Sequence, residues 1–210
     1  FFAGYSKGRR PHVIQFDSEG NPEIMNQETV NSFDAGFKTA VARRIWVDFT
    51  GYYYLFNDFH TNVWVNNNYL VQDVGKASSY GAETSLKIAL LKNLDFFGNY
   101  TYVHARFDSL DNHGNFQEYA GNDFKLTPRH SFTAGFNSGI PISRYLNFFL
   151  SSYYTWKSHL WFEDSNISGL EQKAYGILYA TAGFSLTYPD LTISFSGSNL
   201  LKEKYIISAG

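Results

Sequence analysis

The residues able to do chemistry are sparse in this chain of 210, and their spacing excludes more than it suggests. Cysteine is absent, so neither a disulfide framework nor a thiolate-ligated metal is possible. The six histidines, at 12, 60, 104, 113, 130 and 159, fall at no metal-ligand spacing, and neither a metal site nor a cofactor is expected. Ser151 and Ser152 with His159 form no recognisable pairing of nucleophile and base, so no enzyme is expected. What remains is charge and ring chemistry. Asp34 and Glu83 are carboxylates set in alternating segments, each able to hold an ion pair. Arg9 and Arg10, with Lys7 and His12, form a small basic cluster that can attract an anion. Trp64, Tyr69, Tyr119 and Trp161, with Phe59, Phe116 and Phe162, are rings in polar surroundings that can stack on a planar or sugar ligand.

The elements that must carry these residues are strands. Period-two alternation recurs along the chain, and helical periodicity is nearly absent. Between Tyr145 and Lys157, Leu146, Phe148, Leu150 and Tyr154 alternate with Asn147, Ser151, Thr155 and Lys157. Between Leu191 and Ser198, Leu191, Ile193 and Phe195 alternate with Thr192, Ser194 and Ser196. By the same alternation Asp34 shares a face with Gly36 and Lys38, and Glu83 with Gly81, Ser85 and Lys87. Short connections at Arg43-Arg44, Leu91 to Asn93, Pro141 to Arg144 and Pro189-Asp190 alternate with long polar ones. The long ones run from Gly8 to Asn31, Asn57 to Asn67, Asp108 to Pro128 and Ser158 to Lys173.

Short turns on one side and long loops on the other are the layout of a transmembrane β-barrel, with about nine strands of roughly 9 to 14 residues. A soluble sandwich also alternates, but its polar face normally carries Lys and Glu, whereas these polar faces carry Ser, Thr, Asn, Tyr and Gly. The aromatic share of 19% exceeds the needs of one compact core, and the rings gather near strand ends as interfacial girdles do. With 17 basic and 19 acidic residues there is no electrostatic footprint for nucleic acid and no polybasic membrane anchor. No stretch approaches the roughly 18 apolar residues of a membrane-crossing helix. The fold expected is all-β, an antiparallel transmembrane barrel, with residues 1–210 forming part of one such domain.

Three segments carry a resemblance. They are Ser32-Phe33-Asp34-Ala35-Gly36-Phe37-Lys38-Thr39, then Val74-Gly75-Lys76-Ala77 leading into Tyr80-Gly81-Ala82-Glu83, then Ser198-Asn199-Leu200-Leu201-Lys202-Glu203-Lys204-Tyr205. Together with Tyr5-Ser6-Lys7-Gly8, their order and spacing resemble TonB-dependent outer-membrane receptors along essentially the whole chain. Asp34 stands where Glu is commoner, Asp73 where Asn is usual, and Leu201-Lys202 where Phe-Asp is usual.

The resemblance implies a 22-stranded barrel filled by an N-terminal plug. These residues would supply roughly strands 13 to 21, with Asn199-Leu200 in the penultimate strand, and without the plug or the closing strand. It further implies a receptor of the bacterial outer membrane that binds a scarce nutrient, a siderophore–iron complex foremost, and imports it into the periplasm with energy transmitted by TonB. Its partners would be its own plug, the TonB complex through that plug, outer-membrane lipid and lipopolysaccharide. In the family, carboxylates at the positions of Asp34 and Glu83 pair with plug arginines; their alternative partners are Lys38 and Lys87 on their own strands. Arg9, Arg10, Trp64, Tyr69, Tyr119 and Trp161 are the candidate ligand contacts, although the basic cluster suits lipopolysaccharide phosphates better and the rings suit the interface equally. A non-gated porin is the alternative function, and an outer-membrane protease or phospholipase a further one.

Overall fold

The structure is a computed structural model. It describes residues 1–16, 20–65, 68–111 and 113–208, and the side chains of these apart from 62–70 and 72. Its strands in chain order are β1 (Phe2–Arg10), β2 (Val13–Phe16), β3 (Pro22–Met25), β4 (Glu28–Val41) and β5 (Ile45–Asn57). There follow β6 (His60–Val65), β7 (Asn68–Asp73), β8 (Ala77–Leu91), β9 (Leu94–Phe107) and β10 (His130–Pro141). The last are β11 (Leu146–Lys157), β12 (Leu160–Trp161), β13 (Glu171–Gln172), β14 (Tyr175–Leu186) and β15 (Leu191–Gly197). Nine of them form one sheet in the order β1-β4-β5-β8-β9-β10-β11-β14-β15, and every pairing is antiparallel to its chain neighbour in the sheet.

Register turns the alternation of each strand into two continuous faces. Cross-strand partners stand on the same side, so Ile140, Phe148, Phe184 and Ile193 form one apolar row across four strands. The Phe148 and Phe184 rings lie 5.3 Å apart in that row. On the opposite side Asn137, Ser151, Thr181 and Ser196 form a polar row. There the Ser151 hydroxyl donates to Asn137 Oδ1 at 2.6 Å, and the Thr181 and Ser196 hydroxyls are 2.9 Å apart. A slip of one residue would exchange the two faces, and apolar burial on one side therefore fixes the pairing.

The strands are joined at one end by short turns at 42–44, 92–93, 142–145 and 187–190. Ala42 and Arg43 both take φ near +50°, at 50° and 54°, the left-handed pair that lets a tight hairpin follow the twist of its strands. The other end carries the long connections, 11–27, 58–76, 108–129 and 158–174.

Three expectations need correction. The long connections are not plain polar loops: β2–β3, β6–β7 and β12–β13 form three additional two-stranded ribbons within them. In addition, β1 and β4 stay paired out to Arg10 and Glu28, well past Gly8 and Asn31, and the second connection runs on to Lys76. Hydrophobic alternation could not reveal either, because ribbon strands of two to six residues and the polar ends of β1 and β4 are too short to show a period. The Asn199-Leu200 segment is also not a strand. Asn199 adopts a left-handed φ of 51°, and its side-chain amide both accepts from Glu203 N at 2.8 Å and donates to Glu203 O at 2.9 Å. That closed loop stacks Tyr205 on Tyr175 at 4.7 Å.

The facing generates a prediction. Arginine at Phe148, on the apolar face, should destabilise the folded protein by about 2–4 kcal/mol, and arginine at Ser151, three residues on and across the sheet, by much less. Urea unfolding of the two variants in lipid vesicles measures the difference; equal losses would contradict the assignment of faces.

Candidate functional site

The polar face holds both singled-out carboxylates. Asp34 on β4 is half-buried and pairs in register with Gly4 on β1 and Tyr52 on β5. Its carboxylate lies over Gly4, where an added Cβ would come within 2.9 Å of Oδ1. Glu83 on β8 is exposed, opposite Thr50 on β5 and Thr101 on β9. Tyr52 stands between the two. Its ring crosses to β8 over Gly81, where a Cβ would lie 2.6 Å from the phenol oxygen. The Tyr52 hydroxyl is hydrogen-bonded to Ser79 and feels the charge of Glu83, and its ring stacks on Tyr54 at 4.8 Å. Glycine at 81 is thus required by close approach: any side chain would displace the tyrosine that separates the acids.

The lysines of these strands are engaged elsewhere. Lys38 Nζ meets Asp48 at 2.8 Å and Lys87 Nζ meets Asp95 at 3.8 Å, both across strands rather than along them. Among the described residues, no ion pair joins Asp34 to Lys38 or Glu83 to Lys87.

Above the sheet, the four long connections are tied into one canopy. Gln15 bonds the Val71 backbone on both sides, donating to its carbonyl at 2.7 Å and accepting from its amide at 3.0 Å. Gln117 does the same for Lys76, accepting from its amide at 2.6 Å and donating to its carbonyl at 3.0 Å. Asp164, 6% exposed, is the central knot. It accepts from the Thr61 hydroxyl at 2.6 Å and the Lys125 amide at 3.0 Å, and Lys125 Nζ lies at 3.3 Å. Beneath these bonds Val74, Ala77 and Phe107 form a small buried core, with Phe56, Phe59, Tyr119 and Phe124 packed around it. Beside it a cavity of about 340 Å³ opens between Asn26, Asp58, Asp73, Asp111 and Glu118. Burial, chiefly, raises the Asp73 carboxyl above its ordinary value there. Asp123, in the third connection, is held by Arg106 Nε at 2.9 Å and Arg129 Nη2 at 3.0 Å. Burial pulls its pKa upward, but the hydrogen bonds from Arg129 and Arg106 outweigh that and leave it below the ordinary carboxylate value.

The candidate ligand contacts are not gathered into one constellation. Strand alternation splits the basic cluster: Arg9, opposite Thr29, shares the apolar face's phase with Tyr5, whereas Arg10 takes the polar phase, 3.8 Å from Glu28. His12 Nδ1 is bonded to the Met25 carbonyl at 3.0 Å. Trp64 and Tyr69 are cross-strand partners on β6 and β7, and their side chains lie outside the described residues. Tyr119 packs on Phe107 at 5.7 Å as part of the canopy core. Trp161, near the opposite edge of the sheet from β1, meets His159 edge-on at 4.7 Å. The sequence reading missed Asp164, Gln15 and Gln117, since a polar residue in a polar loop gives no sign that it will be buried.

Removing the knot should loosen the canopy and spare the wall. Asp164→Ala leaves the Thr61 hydroxyl and the Lys125 amide without their acceptor, a cost of about 1–3 kcal/mol for each buried group. Hydrogen exchange should speed up in 58–76 and 108–129 and stay unchanged in β10 and β11; uniform acceleration throughout would contradict a local role.

Comparison with known proteins follows the same lines. Residues 1–200 match the family model described as TonB dependent receptor-like, beta-barrel. No curated protein matches the chain in sequence. Among solved structures, the ferric yersiniabactin uptake receptor FyuA from Yersinia pestis superposes with a TM-score of 0.80 at 18% identity, over 97% of this chain and 30% of that one. The ferric preacinetobactin receptor BauA from Acinetobacter baumannii gives 0.71 at 16%, over 97% and 30%. The ferric-catecholate import receptor Fiu from E. coli K12 gives 0.68 at 15%, over 98% and 29%. The chain therefore spans about 30% of the length of the first two receptors, as a section of barrel wall. A family match over 200 residues, on an antiparallel meander with one apolar face, one polar face and long connections at one rim, makes this chain a member of the TonB-dependent receptor-like β-barrel family.

Proposed function

We propose that these residues form roughly strands 13 to 21 of a 22-stranded outer-membrane barrel, whose polar face encloses a plug domain. The whole protein binds a siderophore–iron complex outside the cell and imports it into the periplasm when TonB, acting through the plug, opens the lumen. The observation that carries this reading is the family match together with a polar face on which Lys38 and Lys87, the lysines of the two acids' own strands, are engaged by Asp48 and Asp95, leaving Asp34 and Glu83 for partners from elsewhere. The similarity to barrels of ferric-siderophore receptors supports the cargo class. The family is one of transporters, not enzymes, and its place is the outer membrane.

The physics of the polar face suits a removable plug. Ser, Thr, Asn and Tyr offer many neutral hydrogen bonds, each contributing roughly 0.5–1.5 kcal/mol net, and each readily exchanged for water. Asp34 and Glu83 add charged bonds from plug arginines, stronger and more directional, that act as latches. The outward canopy, by contrast, is closed on itself and gives the ligand a firm rim.

Neutralising both carboxylates tests the latch. In the full receptor, Asp34→Asn with Glu83→Gln removes two charge-assisted contacts of about 1.5–3 kcal/mol each. Ferric-siderophore affinity of whole cells should change little, while growth on limiting iron, or spin-label mobility in the plug, should change clearly. Lost binding with an unaltered plug would assign these carboxylates to the ligand site instead.

A further inference from the structure

The canopy cavity beside Asp73 has a chemistry that neither the latch nor the knot at Asp164 uses. Its volume of about 340 Å³ lies within the roughly 300–1,000 Å³ of small-molecule sites. Asp58, Asp73, Asp111 and Glu118 line it, and among the described residues no lysine or arginine does. The first two come from the second long connection and the last two from the third, so the fold brings like charges together against their repulsion. Phe116 lines the same cavity and is 85% exposed, an uncovered ring beside the acids.

The bonding within this wall is uneven. Asp111 is satisfied by its own turn: Oδ1 accepts from His113 N at 2.7 Å and Asn115 N at 2.8 Å, and Oδ2 from Asn115 Nδ2 at 3.1 Å. Asp73 is not. Its Oδ1 accepts from Gly75 N at 2.8 Å, and its Oδ2 has no hydrogen bond among the described residues. Next to it stands His60, its cross-strand partner, which therefore points to the same side of the β6–β7 ribbon, toward the carboxylate that walls the cavity. His60 is only 7% exposed and close enough for its charge to act on Asp73, yet neither ring nitrogen has a partner among the described residues. A buried imidazole and a half-buried carboxylate oxygen without bonds are costly, and what both lack is a donor. Among the described residues no three acidic or imidazole side chains converge as ligands of a metal ion. A larger cation carrying its own N–H donors fits that spacing.

We propose that this cavity binds an alkylammonium group, whose donors are shared between Asp73, the His60 ring and the neighbouring carboxylates while its stem lies against Phe116. A primary ammonium carries three donors on one nitrogen, enough for Asp73 Oδ2, the accepting nitrogen of a neutral His60 and one further acid. Charged bonds to carboxylates are the stronger kind, and the Phe116 ring attracts a cation with its face. The same group can arrive on an imported iron chelate or as a free amine. A place for it on the import route rests on the receptor reading above; the binding itself does not.

The test uses the full-length receptor in detergent, titrated calorimetrically with a linear trihydroxamate iron chelate ending in a primary amine, the same chelate N-acetylated, cadaverine and calcium chloride. Wild type should bind the amine chelate at least about tenfold more tightly than its acetylated form. Asp73→Asn, which keeps an acceptor for Gly75 N, should erase that preference, whereas Asp190→Asn, in a short turn at the other end of the sheet, should preserve it. No preference in wild type, or one that survives Asp73→Asn, overturns the site. Cadaverine bound as tightly as the amine chelate supports the ammonium site and assigns it to free amines; the amine chelate bound far more tightly than cadaverine supports it and assigns it to cargo. Calcium that displaces the amine chelate from wild type overturns the organic cation in favour of a metal. Heat-modifiable gel migration is read on every sample. If Asp73→Asn loses it, Asp58→Asn decides, since asparagine tolerates the left-handed φ of 52° at that position, and an undiminished preference there overturns the site. An amine preference in a receptor whose cells take up no iron chelate would refute the import reading and leave the site standing.

Discussion

Within the hydrocarbon of a bilayer an amide or carbonyl has no water to bond, and each one left unpaired costs several kcal/mol. The antiparallel ladder answers that constraint residue by residue, and most of the molecule follows from it. Each interior strand of the sheet pairs on both edges, from β4 through β14. Ladder strands of 12 to 15 residues, as in β4, β5 and β8 to β11, exceed the roughly 9–11 that a tilted crossing requires. The surplus raises strand ends above the membrane at the long-loop rim, where His104 and Arg106 stand on β9 and the loops begin.

Once the ladder fixes the strand ends, the connections inherit the same problem in milder form. Their backbones are polar and partly buried against one another, so side chains take over the pairing that strands perform below. Gln15 and Gln117 each present an amide to a foreign backbone amide and carbonyl, imitating one rung of a sheet. Asp164 gathers donors from two other connections, and Asn166 bonds both the amide and the carbonyl of Asp123. The aromatic core under them, centred on Phe107, excludes water from these bonds and raises what each contributes.

The two faces of the wall need different interactions because they serve different neighbours. Lipid demands only that the apolar face stay apolar, which Leu, Ile, Val and Phe satisfy interchangeably. The polar face carries neutral hydrogen-bonding groups and clear space, with small residues and a few rings lying beside glycine. Gly81 under Tyr52 is one case, and Gly135 is another, with Phe97 Cζ 2.8 Å from where its Cβ would be.

Most of the wall was legible in the sequence. Alternation gave the strands, their polarity gave the faces, and the alternation of short and long connections gave the end to which each belongs, because period two is imposed locally by the pleat. Asp34 and Glu83 were placed on the polar phase by the same rule. What the sequence could not contain is which strand residues meet across the sheet. Register alone put Tyr52 between the two acids and gave Lys38 to Asp48 and Lys87 to Asp95. The canopy was the least legible part. The burial of Asp164, the ribbons within the loops and the meeting of Arg106 with Arg129 all depend on contacts between segments far apart in the chain, where no local period exists. A pleat determines which way a side chain points; only the folded sheet decides what it will find there.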